Sequence, residues 1–533
     1  MADTDERQNT VALTVDGAEV TVPRGTTVIE AAERAGVVVP HYCYHPGIPT
    51  RPAQCRMCLV EVEGEGKLQP SCVLDAQDGM VVHTDSDRAE LARKSVIEFL
   101  LLNHPLDCPI CDAAGQCMLQ DYAFETGQLQ SRLDEEKLVM GRDRISDDIM
   151  YFADRCIICT RCVRFMREVA GDDALVVANR GDKAYIDTAP GEALDHPFQG
   201  NIVDVCPVGA LVHEDYLFKP RYWDLDETSG VCPGCPTGCN VSVGTKENQI
   251  VRLKPRHNQE VNSYWMCDYG RKHLVMANRG VRTEVPLLRR DDELVPVDWE
   301  AALEAVSGRL AGLAGDVEGQ AVVSPAACNE SLFFFRRLLE RAGIDGGCYR
   351  VETGGTATLA GFPKLKLREE RAPNPVGAEL FGFGRVDELP DVDGGLLAVL
   401  EEPLEEEGAG WGEDADWFLY LGSRLSPAAR NADAVLPVTF FAEMEGTFTN
   451  FEGRVQRFRQ ALQPQGVARP AWMVLSRLLQ LLGEGETAFD GPEAFGRMAR
   501  GTPAMEGMSW AGVGTKGATI REDADAALAG EGA

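Results

Sequence analysis

At 533 residues and 58.1 kDa the chain exceeds one ordinary core, and at about 100–200 residues per domain it should hold several units. With 44% hydrophobic and 26% charged residues it has globular rather than disordered composition. A net charge of -32, from 84 acidic against 52 basic residues, opposes any hold on nucleic-acid phosphates, so no nucleic-acid partner is expected. The 41 Arg against 11 Lys fit a high-salt habitat and a GC-rich genome equally. No run approaches the roughly 18 apolar residues of a spanning helix, and the acidic opening from Met1 to Arg7 is unlike a signal peptide. A cytoplasmic chain without direct membrane insertion is expected.

Seventeen cysteines in a chain without an export signal favour metal over a disulfide framework. Fifteen lie between Cys43 and Cys267 in four groups.

Group one is Cys43, Cys55, Cys58 and Cys72. Before it, Val11, Leu13 and Val15 alternate, Asp16-Gly17 makes a turn, and Val20 and Val22 alternate again, a hairpin pattern. A short helix follows, capped by Thr26 or Thr27 and ended at Gly36. Two strands, a helix and a cysteine loop resemble a beta-grasp [2Fe-2S] ferredoxin domain. Group two is His104, Cys108, Cys111 and Cys117. A helix capped near Asp85 or Ser86, with Leu91, Val96, Phe99 and Leu100 as its apolar positions, should stop at His104 because Pro105 follows. His104 is then either a ligand replacing a thiolate or a helix-terminal imidazole meeting the dipole; three cysteines within the next thirteen residues favour ligation.

Group three, Cys156, Cys159, Cys162 and the distant Cys206 followed by Pro207, has the bacterial ferredoxin spacing, C-x2-C-x2-C with a displaced C-P. Arg161 and Arg164 beside these ligands are either solvated charges or, if close to a cluster, stabilisers of its reduced state. Group four is Cys232, Cys235, Cys239 and Cys267, which alone could be a zinc ribbon but beside the other groups reads as a [4Fe-4S] site. The lone Cys328 and Cys348 read as small hydrophobes. The glycines Gly512, Gly514 and Gly517 match G-x-G-x-x-G without the strand-helix-strand context that a dinucleotide requires.

In this order the four sites resemble the large iron–sulfur (G-type) subunit family of respiratory complex I, NADH-quinone oxidoreductase. The stretches Cys156-Ile-Ile-Cys-Thr-Arg-Cys-Val-Arg-Phe and Val205-Cys-Pro-Val-Gly-Ala-Leu carry the match, continuous from about residue 10 to 280. Beyond it, the stretches opening at Val281, Val297, Asp433 and Glu445 are similar to parts of a molybdopterin oxidoreductase domain. The fold implied is α+β iron–sulfur domains (beta-grasp [2Fe-2S], one-His-three-Cys [4Fe-4S], ferredoxin-like [4Fe-4S]) followed by a shortened α/β molybdopterin-oxidoreductase-like domain. The boundaries are 1–84, 85–125, 126–224, then 225–281 for the fourth cluster and 282–484 for the degenerate domain. Residues 485–533, rich in Gly, Ala and acids, are expected to be a mobile tail.

The resemblance implies one [2Fe-2S] and three [4Fe-4S] clusters, and electron relay from a flavin-bearing NADH subunit toward quinone by way of a ferredoxin-like two-cluster subunit. It also places the chain among the peripheral-arm subunits on the cytoplasmic side of a bacterial inner membrane. Tyr269, where molybdenum relatives have Lys, and the shortened domain imply no molybdenum cofactor. That domain also carries an acidic run, Glu401 to Asp416, with eight carboxylates in sixteen residues, which reads as a solvated loop. The competing readings are a formate dehydrogenase-like catalytic subunit, which needs more ferredoxin cysteines than the four of group three, and a zinc-bearing scaffold.

Overall fold

Residues 9–127, 130–277, 281–312 and 318–521 are described by the computed structural model. They fall into two units, residues 1–225 with 359–363, and 226–358 with 364–533.

In the first unit the alternating residues of Thr10–Val15 bury Val11, Leu13 and Val15 on one face. The strand turns at Asp16-Gly17, both with positive φ (46° and 84°), into the antiparallel Ala18–Pro23. Thr10–Val15 also pairs in parallel with Val81–His83, which pairs antiparallel with Leu59–Val62, and that strand antiparallel with Gln69–Pro70, completing a five-stranded sheet. Helix α1 (Val28–Arg34) begins at a capping box, Thr27 with Glu30, and ends before Gly36 at φ 81°. It buries Val28, Ile29, Ala31 and Ala32 in the same core as Val60, Val82, Cys58 and Cys72, so the cysteine loops are anchored by the sheet.

Helix α2 (Asp87–Leu101) starts where expected, with Ser86 accepting from the Ala89 amide, but its inward face differs from the expected one. Leu91 and Phe99 are 67% and 71% exposed, while Ala89, Arg93 and Ile97 are buried. The i, i+4, i+8 row faces the core because the Arg93 guanidinium finds the Thr84 carbonyl there. The helix stops at Leu101, leaving His104 beyond it. Helix α3 (Met118–Thr126), a three-stranded antiparallel sheet (Arg142–Ser146, Ile149–Phe152, Leu211–His213) and a hairpin (Leu175–Ala178 with Tyr185–Thr188) frame two short helices, α4 (Arg161–Arg164) and α5 (Asn201–Val205).

The second unit opens with an antiparallel sheet, Asp226–Val231, Asn240–Lys246 and Gln249–Pro255, and helix α6 (Asp268–Ala277). An eight-stranded sheet follows, in the order Glu293–Pro296, Leu287–Arg290, Ala434–Pro437, Trp417–Gly422, Leu396–Leu400, Gly319–Val323, Cys348–Arg350, Gly384–Val386. Its last six strands run parallel. Leu396–Leu400 is buried at every position, as a strand covered on both faces requires. Helices α7 (Trp299–Ala311), α8 (Asn329–Ala342), α9 (Pro375–Leu380) and α10 (Ala471–Leu481) belong to this unit.

Two expectations are corrected here. The segment from 485 folds at least to residue 521: α11 (Gly491–Gly501), capped by Asp490, buries Ala494, Phe495, Met498 and Ala499, and Ala518–Thr519 pairs with Arg454–Phe458. A helical apolar stripe inside a Gly- and acid-rich composition was enough to dock it; residues 522–533 lie outside the described residues. The acidic run is not uniformly solvated either, because Glu402 is buried against Arg350, and burial pushes Glu401 up to about 8. The Gly512–Gly517 match begins inside the one-turn α12 (Trp510–Val513) and runs on to an edge strand. Among the described residues no helix is long and apolar enough to cross a membrane.

Candidate metal centres

All seventeen cysteines are free thiols, and the groups read from the spacing are gathered to different degrees. In group one the Cys43 and Cys55 sulfurs are 3.4 Å apart, and the Cys55 amide donates to Cys43 Sγ at 3.4 Å. Hydrogen bonds from Cys55 and Cys72 stabilise the Cys43 thiolate and lower its pKa, and Cys72 does the same for Cys58, brought to about 7. Cys55 and Cys72 are correspondingly raised. The sulfurs are linked in the order Cys55, Cys43, Cys72, Cys58, a run of thiol donors of the kind that suits a multivalent cation. Ala53 and Arg56 have φ of 47° and 59°, a conformation non-glycine residues seldom adopt, and it winds the loop around the sulfurs.

In group three the four cysteines line one cavity together with Tyr151 and Leu211. Ile158 and Thr160, at φ 49° and 61°, give that loop its winding, and the Ile158 amide donates to Cys156 Sγ at 3.4 Å. Burial pushes Cys156 up to about 11 and Cys159 to about 12, with Cys162 and Cys206 also raised. As bare thiols the set stays protonated, so a bound cation is what would make it anionic.

Group four is built at the turn between Asp226–Val231 and Asn240–Lys246, closed by a Cys232 amide to Cys239 carbonyl bond of 2.8 Å, and Cys267 stands before the first turn of α6. Burial first, then the other cysteines' charges, raises Cys232, Cys239 and Cys267.

In group two, Cys111 and Cys117 are buried, Cys108 is exposed, and Cys117 caps α3. Arg221 braces the loop by donating to the Cys108, Pro109 and Cys111 carbonyls. His104 is half-buried, and its pKa is pushed down to about 4 by burial, Lys137 and Arg155. Its ring is therefore neutral at pH 7 and has a lone pair to give. None of the three cysteines is among the charges that act on it, so its ligation stays a proposal. Among the described residues no three His, Cys, Asp or Glu side chains close around a point in the geometry of a single metal ion.

Spacing did not reveal two further residues. An added Cβ at Gly209 would lie 2.2 Å from Cys111 Sγ, and one at Gly270 would lie 2.6 Å from Cys232 Sγ; both glycines leave room for sulfur rather than for a turn. Arg161 and Arg164 are not solvated, at 5% and 4% exposure. Arg164 donates to the Cys43 and Thr50 carbonyls, and Arg161 to those of Tyr44 and Val205. The Met118 amide donates to the Pro207 carbonyl at 3.0 Å, so the loops of groups one and three are tied by arginine-to-carbonyl bonds and those of groups two and three by a backbone bond.

In a parallel sheet of this kind the ligand crevice is expected at the switch in strand order, here between Gly319–Val323 and Leu396–Leu400. Its residues are acidic: Glu330, in the first turn of α8 and fully buried, accepts from the Thr447 amide and hydroxyl at 2.9 Å each, and Glu401 follows Leu400 directly. Among the described residues neither has a basic group within ion-pair distance. Two buried carboxyls with no cation beside them repel a phosphate rather than receive it, so these residues do not fit an anionic pterin cofactor.

Five family models match in chain order. They are a 2Fe-2S iron–sulfur cluster binding domain over 8–87, the NADH-ubiquinone oxidoreductase-G iron–sulfur binding region over 93–132, and the NADH-quinone oxidoreductase subunit 3 ferredoxin-like domain over 146–212. The molybdopterin oxidoreductase Fe4S4 domain matches 225–279 and molybdopterin oxidoreductase 411–481. The second G-type NADH-quinone oxidoreductase subunit of Rhizobium meliloti (strain 1021) is 41% identical over 331 residues, 62% of this chain and 39% of the relative. The G-type NADH-quinone oxidoreductase subunit of Streptomyces coelicolor is 36% identical over 418 residues, 72% and 48%. The chain thus spans about half the length, or less, of these bacterial relatives. The mitochondrial NADH-ubiquinone oxidoreductase 78 kDa subunit of Candida albicans is 30% identical over 603 residues, 89% of this chain and 82% of the relative. A solved NAD+-reducing [NiFe]-hydrogenase is similar at 32% identity over 39% of this chain and 90% of its own, with a TM-score of 0.36. With a relative at this identity covered over four-fifths of its length, and cysteine loops matched domain by domain, the chain belongs to the family of large, G-type iron–sulfur subunits of NADH-quinone oxidoreductase.

Proposed function

We propose that the chain is the iron–sulfur electron-transfer subunit of an NADH-quinone oxidoreductase, relaying electrons from a flavin-bearing NADH subunit toward quinone. One observation carries this reading: the group-one sulfurs Cys43 and Cys55 are in contact and the four group-three cysteines line one cavity, in a chain whose family models run two-iron, NADH-oxidoreductase-G, ferredoxin-like and molybdopterin-type Fe4S4 in order. The ligand sets are Cys43, Cys55, Cys58 and Cys72 for one [2Fe-2S] cluster, and three [4Fe-4S] sets. These are His104, Cys108, Cys111 and Cys117; Cys156, Cys159, Cys162 and Cys206; and Cys232, Cys235, Cys239 and Cys267. The clusters supply one-electron carriers whose potentials follow ligand type, hydrogen bonds to sulfur and burial. The chain supplies the thiolates, the amides aimed at Cys43 and Cys156, and the burial that keeps water away.

The route proposed enters at group one, passes to group three, leaves through group two to a ferredoxin-like two-cluster subunit, and leaves group four in a structural role. The hydrogen-bond ties among groups one, three and two support that order, which differs from chain order. The site of action is the peripheral arm of a membrane complex facing the cytoplasm. No molybdenum cofactor is held, a reading that the acidic crevice of Glu330 and Glu401 supports. Replacing Cys159 by alanine in the assembled complex tests the route. Loss of one [4Fe-4S] signal together with NADH-quinone turnover is expected, and full turnover without that cluster would refute the relay.

A further inference from the structure

A guanidinium stays charged in any protein environment, and burying it without an opposite charge is strongly unfavourable. Arg161 is 5% exposed, and among the described residues no carboxylate lies within ion-pair distance of it. Its Nε makes no hydrogen bond. Nη2 donates to the Tyr44 carbonyl; Nη1 donates to the Val205 carbonyl at 3.2 Å and lies 3.8 Å from Met118 Sδ. Each contact is one residue from a proposed ligand: Tyr44 follows Cys43, Val205 precedes Cys206, and Met118 follows Cys117, while Arg161 itself precedes Cys162. The thiols whose charge, once ionised, acts on it most are Cys159, Cys206 and Cys43, two from group three and one from group one, with the like charge of Arg164 acting against them.

We propose that Arg161 is a positioning residue that serves as one counter-charge for two centres, keeping the reduction potentials of the group-one and group-three clusters up together. The proposal rests on the iron–sulfur reading above. Adding an electron makes a cluster more negative, so a fixed buried cation favours the reduced state of each centre it faces. Both midpoints are then expected to fall when the charge is removed. Lysine keeps the charge but loses the fork that reaches Tyr44 and Val205 at once, so it separates charge from bracing.

The test uses the full chain prepared without oxygen, as wild type, Arg161→Gln and Arg161→Lys, with redox titration followed by EPR on the [2Fe-2S] and [4Fe-4S] signals. Arg161→Gln should lower both the group-one and group-three midpoints and leave the group-four midpoint where it was; Arg161→Lys should hold both near wild type. Intact signals with unmoved midpoints in Arg161→Gln, or movement of the group-three midpoint alone, overturn the shared counter-charge. If Arg161→Gln loses a centre, Arg161→Lys decides: two preserved midpoints support the proposal, and two lowered ones overturn it. Wild-type protein lacking cluster signals would overturn the underlying reading as well, which separates the two failures.

Discussion

Gly209→Ala places a methyl carbon 2.2 Å from Cys111 Sγ and 3.1 Å from Ala113 Cβ. The backbone on either side cannot retreat freely, because the Pro207 carbonyl accepts from the Met118 amide at 3.0 Å and the Ala210 carbonyl accepts from the Phe152 amide at 2.7 Å. The sulfur therefore has to move by roughly 1 Å, several times the ~0.2 Å tolerance of a metal–ligand bond. Forcing the contact without relaxation is the overpacking case, about 1–3 kcal/mol, and giving up the Cys111 ligand is the easier outcome. The group-two cluster should be lost, with iron falling by about four per chain, while the other three centres keep their EPR signals. The assay is iron analysis and EPR of anaerobically purified protein. Full iron with an unchanged group-two spectrum would refute the assignment of Cys111 as a ligand packed against Gly209.

Gly308→Ala is the converse substitution: inside α7, with nothing within 4 Å of the added carbon, it should stabilise the chain by about 0.5–1 kcal/mol, read as a higher Tm. Glu330→Gln tests the acidic crevice by pH. Burial raises the folded-state pKa of Glu330 from 4.5 to about 7, so the stability linked to its proton is complete below pH 4.5 and lost as pH rises to 7, at most about 3 kcal/mol for a fully buried group. The variant should flatten that part of a denaturation series, and an unchanged slope would count against the buried charge. His104→Cys replaces a neutral donor by a thiolate and should lower the group-two midpoint; an unmoved midpoint with the cluster intact would speak against His104 as ligand.

The cysteine spacings made the four sites legible because metal ligation fixes residue type and interval together. The beta-grasp start was readable for the same reason a hairpin is: Asp16-Gly17 and the alternating Val11, Leu13 and Val15 are local signals. What the sequence hid is long-range. Nothing near Leu91 or Phe99 says that α2 turns Arg93 inward, since that depends on the Thr84 carbonyl. The roles of Gly209 and Gly270 are set by sulfurs about 98 and 38 residues away in the chain. For the arginines at 161 and 164 the sequence left solvated and cluster-facing readings open, and the carbonyls of residues 43–50 that bury them decide against the first. Composition misjudged the segment from 485 because α11 needs only four buried side chains in eleven residues to dock.

Iron and acid-labile sulfide counted on anaerobically purified full-length protein, with EPR of the dithionite-reduced sample, puts the account to its most direct trial. Brown protein with about 14 iron and about 14 sulfide per chain, and signals from both two-iron and four-iron centres, is the expected result. Colourless protein carrying stoichiometric zinc in those cysteines would contradict it.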